Sequence, residues 1–458
     1  MESQLTLIVL SAYLIILIAI GLYASKKTKT SKSFFLADRN VKTFPLTATI
    51  TATVVGGSAT IATAKLIYLY GLPSLWLDIG AATGLIILGL TLAKKVRKTG
   101  LYTLPEITGK LFDNKVRKTA AVLILLTQIA WISLLIQGTG AIIAVLLPLD
   151  YTTALAIITA IFIIYTILGG QYAVIYTDIV QFFIMIVGVC IIAAPLLFLK
   201  AAPMLNTISA NYLNFPVNNS YGFLPILSLF FMMMMPHIVG PDIYSKLLTA
   251  KDEKTAKKAT IYSGFMRIIF AISIGVIAIS AIILVPGLSQ SEAIFAMPQA
   301  ILQLGPILSG LILAAFISVM LSSADSVLIS AGTVLSVDIT EKKNVNISRL
   351  GILIIGILAL ALALYLNDII ETLKLAYTVF TAGLTLPIIF GFYKSKTGVT
   401  SKGALISLIF GGSISLIWFF LDNPYQIDAV LIGLIASLVP LLIFREAKNE
   451  RKNTRVAQ

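Results

Sequence analysis

Apolar residues run in thirteen stretches along this chain, near 5–24, 45–70, 75–94, 119–147, 152–168, 173–199, 222–246, 259–285, 307–337, 348–366, 371–393, 402–421 and 427–444. At about 1.5 Å of rise per residue, each is long enough to cross a bilayer as a helix. The connections are short and free of low-complexity tracts, so the pattern predicts an all-α polytopic membrane protein with residues 1–458 as a single transmembrane domain. Two stretches are interrupted: the second by Val55-Gly56-Gly57-Ser58, the seventh by Met235-Pro236-His237-Ile238-Val239-Gly240-Pro241-Asp242. Paired glycines and a Pro–Gly–Pro cluster weaken or break helical hydrogen bonding. At membrane depth, irregular backbone is tolerated only where it lines a cavity or is buried in protein. The ninth stretch is apolar except for Ser322-Ser323-Ala324-Asp325-Ser326 at its middle. Residues three and four apart share a helix face, so Ser322, Asp325 and Ser326 stack, with Ser323 beside them. Burying such a face costs several kcal/mol unless something satisfies it. Hydroxyls and one carboxylate suit a small hard cation.

Charge sets the orientation. With the N-terminus outside, the inner regions are 25–44, 94–118, 246–258, 340–349, 394–402 and 445–458, and these hold 30 of the 34 lysines and arginines. The positive-inside rule therefore predicts an outside N-terminus and a cytoplasmic C-terminus in the cell (plasma or inner) membrane. The net charge of +14 then belongs to cytoplasmic loops facing anionic lipid, not to nucleic-acid binding. A 12% charged fraction against roughly 25% in soluble proteins excludes a water-soluble fold, as does the mean hydropathy of +0.98. Cys190 is the only cysteine, so neither a disulfide framework nor a cysteine metal site is expected. Residues 5–24 follow the acidic Glu2 and lack a small-residue cleavage site, which reads as a retained helix.

The two interrupted stretches are five apart and enter the membrane from opposite sides. They open two five-helix blocks of inverted topology, the arrangement in which paired broken helices mark a transporter's binding site. Glycines placed for close helix packing are the plainer reading of either break.

Several motifs carry a family resemblance. They are Gly169-Gly170-Gln171-Tyr172-Ala173-Val174-Ile175-Tyr176-Thr177-Asp178-Ile179-Val180-Gln181, the serine cluster followed by Val337-Asp338-Ile339, Thr51-Ala52-Thr53-Val54-Val55-Gly56-Gly57, and Leu248-Thr249-Ala250-Lys251-Asp252. In order and spacing the chain resembles the sodium:solute symporter family over its whole length. The resemblance implies a LeuT-like 5+5 core: residues 45–199 as first repeat, 222–393 as inverted second repeat, 5–24 in front, 402–444 behind, and 445–458 as a cytoplasmic tail. It implies a sodium site at the carbonyls of Ala52, Val55 and Val319 with the hydroxyls of Ser322 and Ser323. A further cation site would use Asp178, Ser322, Asp325 and Ser326. Two carboxylates sharing a site hold either a cation or a proton between them, so proton coupling there is the alternative to sodium. Asp178 also reads as a cap near a helix start, and the serines as hydroxyls bonded back along their own helix.

The solute is less constrained. The stretches around Thr51–Tyr68, Gly169–Phe182 and Met320–Ser330 resemble the choline-transporter branch, and Trp131 stands where one residue of an aromatic cage would be. Val54 occupies another cage position, so the cage is incomplete. Further cavity candidates are Gly56, Gly57, Ser58, Lys65, Asp78, Gln128, His237 and Gly240. Lys65 and Asp78 both lie toward the outer side, where they are expected to pair; snorkelling of Lys65 is the alternative. Arg267 and Lys374 lie near no motif. The expectation is a sodium-coupled symporter importing a small polar organic solute by alternating access. Its partners would be Na⁺, the solute and the bilayer, with no cofactor, nucleic acid, obligate protein partner or enzymatic chemistry. The alternative is a membrane sensor, or a proton-coupled or leak pathway, on the same scaffold. Sensors carry a soluble output domain, whereas 14 residues follow Phe444.

Overall fold

A computed structural model describes residues 30–56, 59–147, 149–366 and 368–446, with Ala12, Tyr13, Ile15, Ile16, Ala19, Ile20 and Tyr23. Gly57, Ser58, most of the expected 5–24 helix and nearly all of the tail lie outside the described residues. Within them the chain is a helical membrane protein, and its strand-like pairings are two isolated bridges, Val41–Ala250 and Val399–Arg445. The helices are α1 (Thr43–Gly56), α2 (Ala59–Tyr70), α3 (Trp76–Thr91) and α4 (Asn114–Leu146). Then come α5 (Tyr151–Ile167) and α6 (Gly170–Thr207). After them follow α7 (Phe223–Val239), α8 (Pro241–Leu247) and α9 (Glu253–Leu284). The last five are α10 (Pro306–Ile339), α11 (Val345–Leu366), α12 (Ile369–Phe392), α13 (Ser401–Phe420) and α14 (Ala429–Ile443).

Among the described residues, 9 helices are long and apolar enough to span a membrane, or 10 with the bent α1–α2 pair. The expected thirteen are not confirmed, because α5 and α14 are shorter apolar helices and 5–24 falls outside the described residues. A kink separates α5 from α6. Gly170 sits at φ 67° and ψ 178°, a backbone that only glycine adopts without strain, and it turns the chain into α6. The connection before α10 also carries a short helix, Glu292–Leu302, that the apolar pattern did not announce.

Helix starts are capped by the acids the loops supply. Asp113 accepts from the Val116 amide, Asp252 from Thr255, and Asp368 from Ile370 and Glu371. Asp252 of the Leu248–Asp252 motif is thereby a structural cap. At the first expected break α1 ends at Gly56 and α2 begins at Ala59, with Gly57 and Ser58 outside the described residues; the second break is present and narrower than the sequence suggested. The axes of α1 and α2 differ by 43°. Pro236 is absorbed inside α7, and the second break falls at Gly240 (φ −57°, ψ 130°), with Pro241 opening α8 at a position where its missing N–H is harmless. The polar-centred helix is the most enclosed: 83% of the apolar stretch of α10 is buried, against 39% in α13. A helix surrounded on all sides by protein is the one that can carry serines and a carboxylate at membrane depth.

Candidate functional site

The C-terminal end of α1 meets the middle of α10 in direct backbone contact, at Gly56 and Val319. Gly56 lies so close that a Cβ there would overlap the Val319 carbonyl and crowd Ser323 Oγ. Ser323 Oγ donates to the Thr53 carbonyl at 2.6 Å and contacts the Val319 carbonyl at 3.2 Å. Neutral oxygens from two helices thus converge beside the break, where α1 stops using its carbonyls for its own ladder. Ala52, Val55 and Val319 are all buried here, and the Val55 carbonyl accepts from Thr60 Oγ1 at 2.7 Å. Carbonyls and a hydroxyl are the oxygen donors that a small hard cation takes.

Ser322 turns away from that cluster. Its hydroxyl donates to Asp178 Oδ1 at 2.5 Å. The other carboxylate oxygen, Oδ2, accepts from Lys246 Nζ at 2.7 Å and from the Thr49 hydroxyl, while Lys246 Nζ also reaches Thr49 Oγ1 at 2.6 Å. Asp178 is therefore no helix cap; α1, α6, α8 and α10 meet at its side chain. Ser326 Oγ contacts Thr53 Oγ1 at 3.0 Å and donates back to the Ser322 carbonyl at 2.8 Å. Asp325 does not hydrogen-bond to Asp178. Its Oδ1 accepts from Thr166 Oγ1 of α5 at 2.7 Å, and its buried Oδ2 has no hydrogen-bond partner among the described residues. The side chains of the four expected ligands of the further cation site are thus divided among three neighbourhoods, Asp178 with Ser322, Ser326 with Thr53 and Asp325 with Thr166, and the first includes an ammonium that the sequence did not announce.

The expected Lys65–Asp78 pair is replaced by two others. Lys65 Nζ lies 2.7 Å from Asp368 Oδ2, linking α2 to the start of α12. Asp78 pairs with Arg267, whose Nη1 also donates to the Val54 carbonyl at 2.7 Å. Arg267 was legible as a charge inside an apolar helix, which demands a partner, but its spacing named none. Lys65 is buried at 2% exposure, so it does not snorkel. His237 gives Nδ1 to the Met233 carbonyl of its own helix at 2.7 Å, and Gly240 forms the second break. Trp131 packs edge-on against Tyr377 with ring centroids 4.9 Å apart. One turn before it, both polar atoms of the buried Gln128 side chain lack a hydrogen-bond partner among the described residues, as does Trp131 Nε1. Gln137 instead donates to the Ala363 carbonyl at 3.2 Å.

The profile of the sodium:solute symporter family matches residues 34–411. The chain belongs to this family. It is 31% identical over 207 residues to the high-affinity choline transporter 1 of Caenorhabditis elegans, a match covering 42% of this chain and 36% of that transporter. A sodium/proline symporter of Staphylococcus aureus (strain JH9) is 24% identical over 470 residues, covering 95% of this chain and 91% of the symporter. Among solved structures, a substrate-bound, outward-open Na⁺-coupled sialic acid symporter superimposes with a TM-score of 0.79 at 20% identity, covering 96% of this chain and 97% of its own. That likeness establishes the LeuT-like fold. Membership makes this symporter a transporter and not an enzyme, with a small-molecule solute and Na⁺ as its ligands.

Proposed function

We propose that this symporter imports a small polar organic solute together with Na⁺ by alternating access, in a cell membrane with its N-terminus outside and C-terminus in the cytoplasm. The observation that carries the reading is the convergence of Ser323 Oγ, the Thr53 carbonyl and the Val319 carbonyl against Gly56. An ion held by this set ties α1 to α10, and so couples the first break to the scaffold around which the two repeats rock. The solute lies between the two breaks, against Trp131, Tyr377 and the amide of Gln128. Buried polar atoms without protein partners are costly, and a polar ligand would satisfy them. The relatives named for choline and proline carry solutes with a cationic nitrogen, which an aromatic pair such as Trp131–Tyr377 can face.

A thermal-shift screen of the purified protein tests this. Quaternary amines, amino acids, short carboxylates and sugars are each added with NaCl or KCl. At least one solute should raise the melting temperature in sodium and not in potassium. Equal shifts in both salts for every stabilising solute would sink sodium coupling.

A further inference from the structure

The residues around Asp178 do not fit a second sodium ion, because a cation of the chain's own already stands there. Lys246 Nζ lies 2.7 Å from Asp178 Oδ2 and 2.6 Å from Thr49 Oγ1, and neither Lys246 nor Asp178 is exposed to solvent. On the opposite carboxylate oxygen, Ser322 Oγ sits at 2.5 Å. A carboxylate flanked by two hydroxyls from α1 and α10 is a ligand set for a small hard cation. The ammonium presents the same unit charge to the same oxygens, at hydrogen-bond distance. We propose that Lys246 is a tethered cation that takes the place of a second coupling ion on Asp178, so that one Na⁺ and not two binds per chain. The proposal rests on the sodium reading above for the remaining ion.

Three features support it. A buried carboxylate must be neutralised, and Lys246 does this without drawing on an ion from solution. A sodium ion added at Asp178 would stand beside the ammonium in a low-dielectric interior, where like charges repel strongly. The remaining nearby carboxylate, Asp325, is bonded to Thr166 of α5 and gives a cation at Asp178 no ligand, although it lies close enough to interact electrostatically with both Asp178 and Lys246. The placement of Lys246 follows from the second break. Because the helix restarts at Pro241 immediately after Gly240, Lys246 falls inside the membrane-spanning segment and not in the loop beyond it. A tethered ammonium cannot dissociate into the cytoplasm, so it balances Asp178 throughout the cycle and carries no driving force.

The test is equilibrium binding of ²²Na⁺ to the purified full-length protein, with Lys246→Met and Lys246→Met/Asp178→Asn beside the wild type. The wild type should bind one ion per chain. Lys246→Met removes the ammonium while leaving Asp178, Thr49 and Ser322, and its count should double. The double variant removes both charges and should return to the wild-type count. Two ions on the wild type, an unchanged count on folded Lys246→Met, or a double variant that binds one ion fewer than wild type would each overturn the proposal. If Lys246→Met does not fold, Lys246→Gln, which also removes the ammonium and leaves Asp178, takes its place: a doubled count supports the proposal and an unchanged count overturns it. A wild type that binds no sodium while Lys246→Met binds one would remove the site at Ser323 and leave the tethered cation standing.

Discussion

Ser323 and Ser322 are neighbours in sequence with different work to do. The first bridges carbonyls of α1 and α10, and the second holds Asp178. Removing the Ser323 hydroxyl deletes one neutral oxygen from the sodium set without unpairing a buried charge. Ser323→Ala should therefore raise the sodium concentration for half-maximal ²²Na⁺ binding by about tenfold, equivalent to about 1.4 kcal/mol; an unchanged affinity would take Ser323 out of the site. The Arg267–Asp78 pair makes a different prediction, about stability. Arg267→Met strands a buried carboxylate, an error worth about 3–5 kcal/mol, whereas replacing both partners of such a pair is often nearly neutral. The melting temperature should fall sharply in Arg267→Met and recover at least in part in Arg267→Met/Asp78→Asn. No recovery in the double variant would mean that the bond from Arg267 to the Val54 carbonyl, and not the ion pair, is what matters.

At the scale of elements, the breaks were legible because a bilayer leaves backbone few ways to be satisfied, so Gly56-Gly57 and Gly240-Pro241 stood out against long apolar runs. The partners of the buried charges were not legible. Lys65 and Asp78 were expected to meet because both lie toward the outer side, yet each finds a partner from a distant part of the chain, Asp368 and Arg267. Hydrophobic periodicity carries no information about which helices touch. Lys246 was hidden for a sharper reason: a proline and a glycine just before it mark the end of a helix as readily as a restart, so it counted among the inner-loop cations of 246–258. The glycines themselves can be tested. Gly56→Ala puts a methyl group into the Val319 carbonyl, which backbone cannot yield cheaply. It should abolish sodium-dependent stabilisation while leaving the helical content seen by circular dichroism intact; normal sodium-dependent stabilisation would show that α1 does not approach α10 so closely in the working protein.

Two ion pairs brace the whole molecule from opposite faces. With α5 counted as a crossing, as the sequence pattern expects, the end of α2 and the start of α12 share one face, while the start of α4 and the end of α10 share the other. Lys65–Asp368 at 2.7 Å closes the first pair of ends. Arg117 closes the second, with Nε 2.8 Å from Asp338 Oδ1 and Nη2 donating to the Val337 carbonyl at 2.8 Å. On the alternating-access reading proposed above, these braces would be held and released in turn, since a path open at both faces at once would leak. Loosening one brace should bias the population toward opening on its own side, by no more than the free energy of the lost contact. Ser330 lies in a cavity with Tyr102, Gln171, Ser245 and Thr333, near the Arg117 end of the molecule, and reports on that face. In a Cys190→Ser background carrying Ser330→Cys, a membrane-impermeant maleimide added from the Arg117 side should label faster when Arg117→Met is introduced and more slowly with Lys65→Met. Both variants shifting the rate in the same direction would show that the two pairs are passive struts, and that the equilibrium between faces is set elsewhere in the repeats.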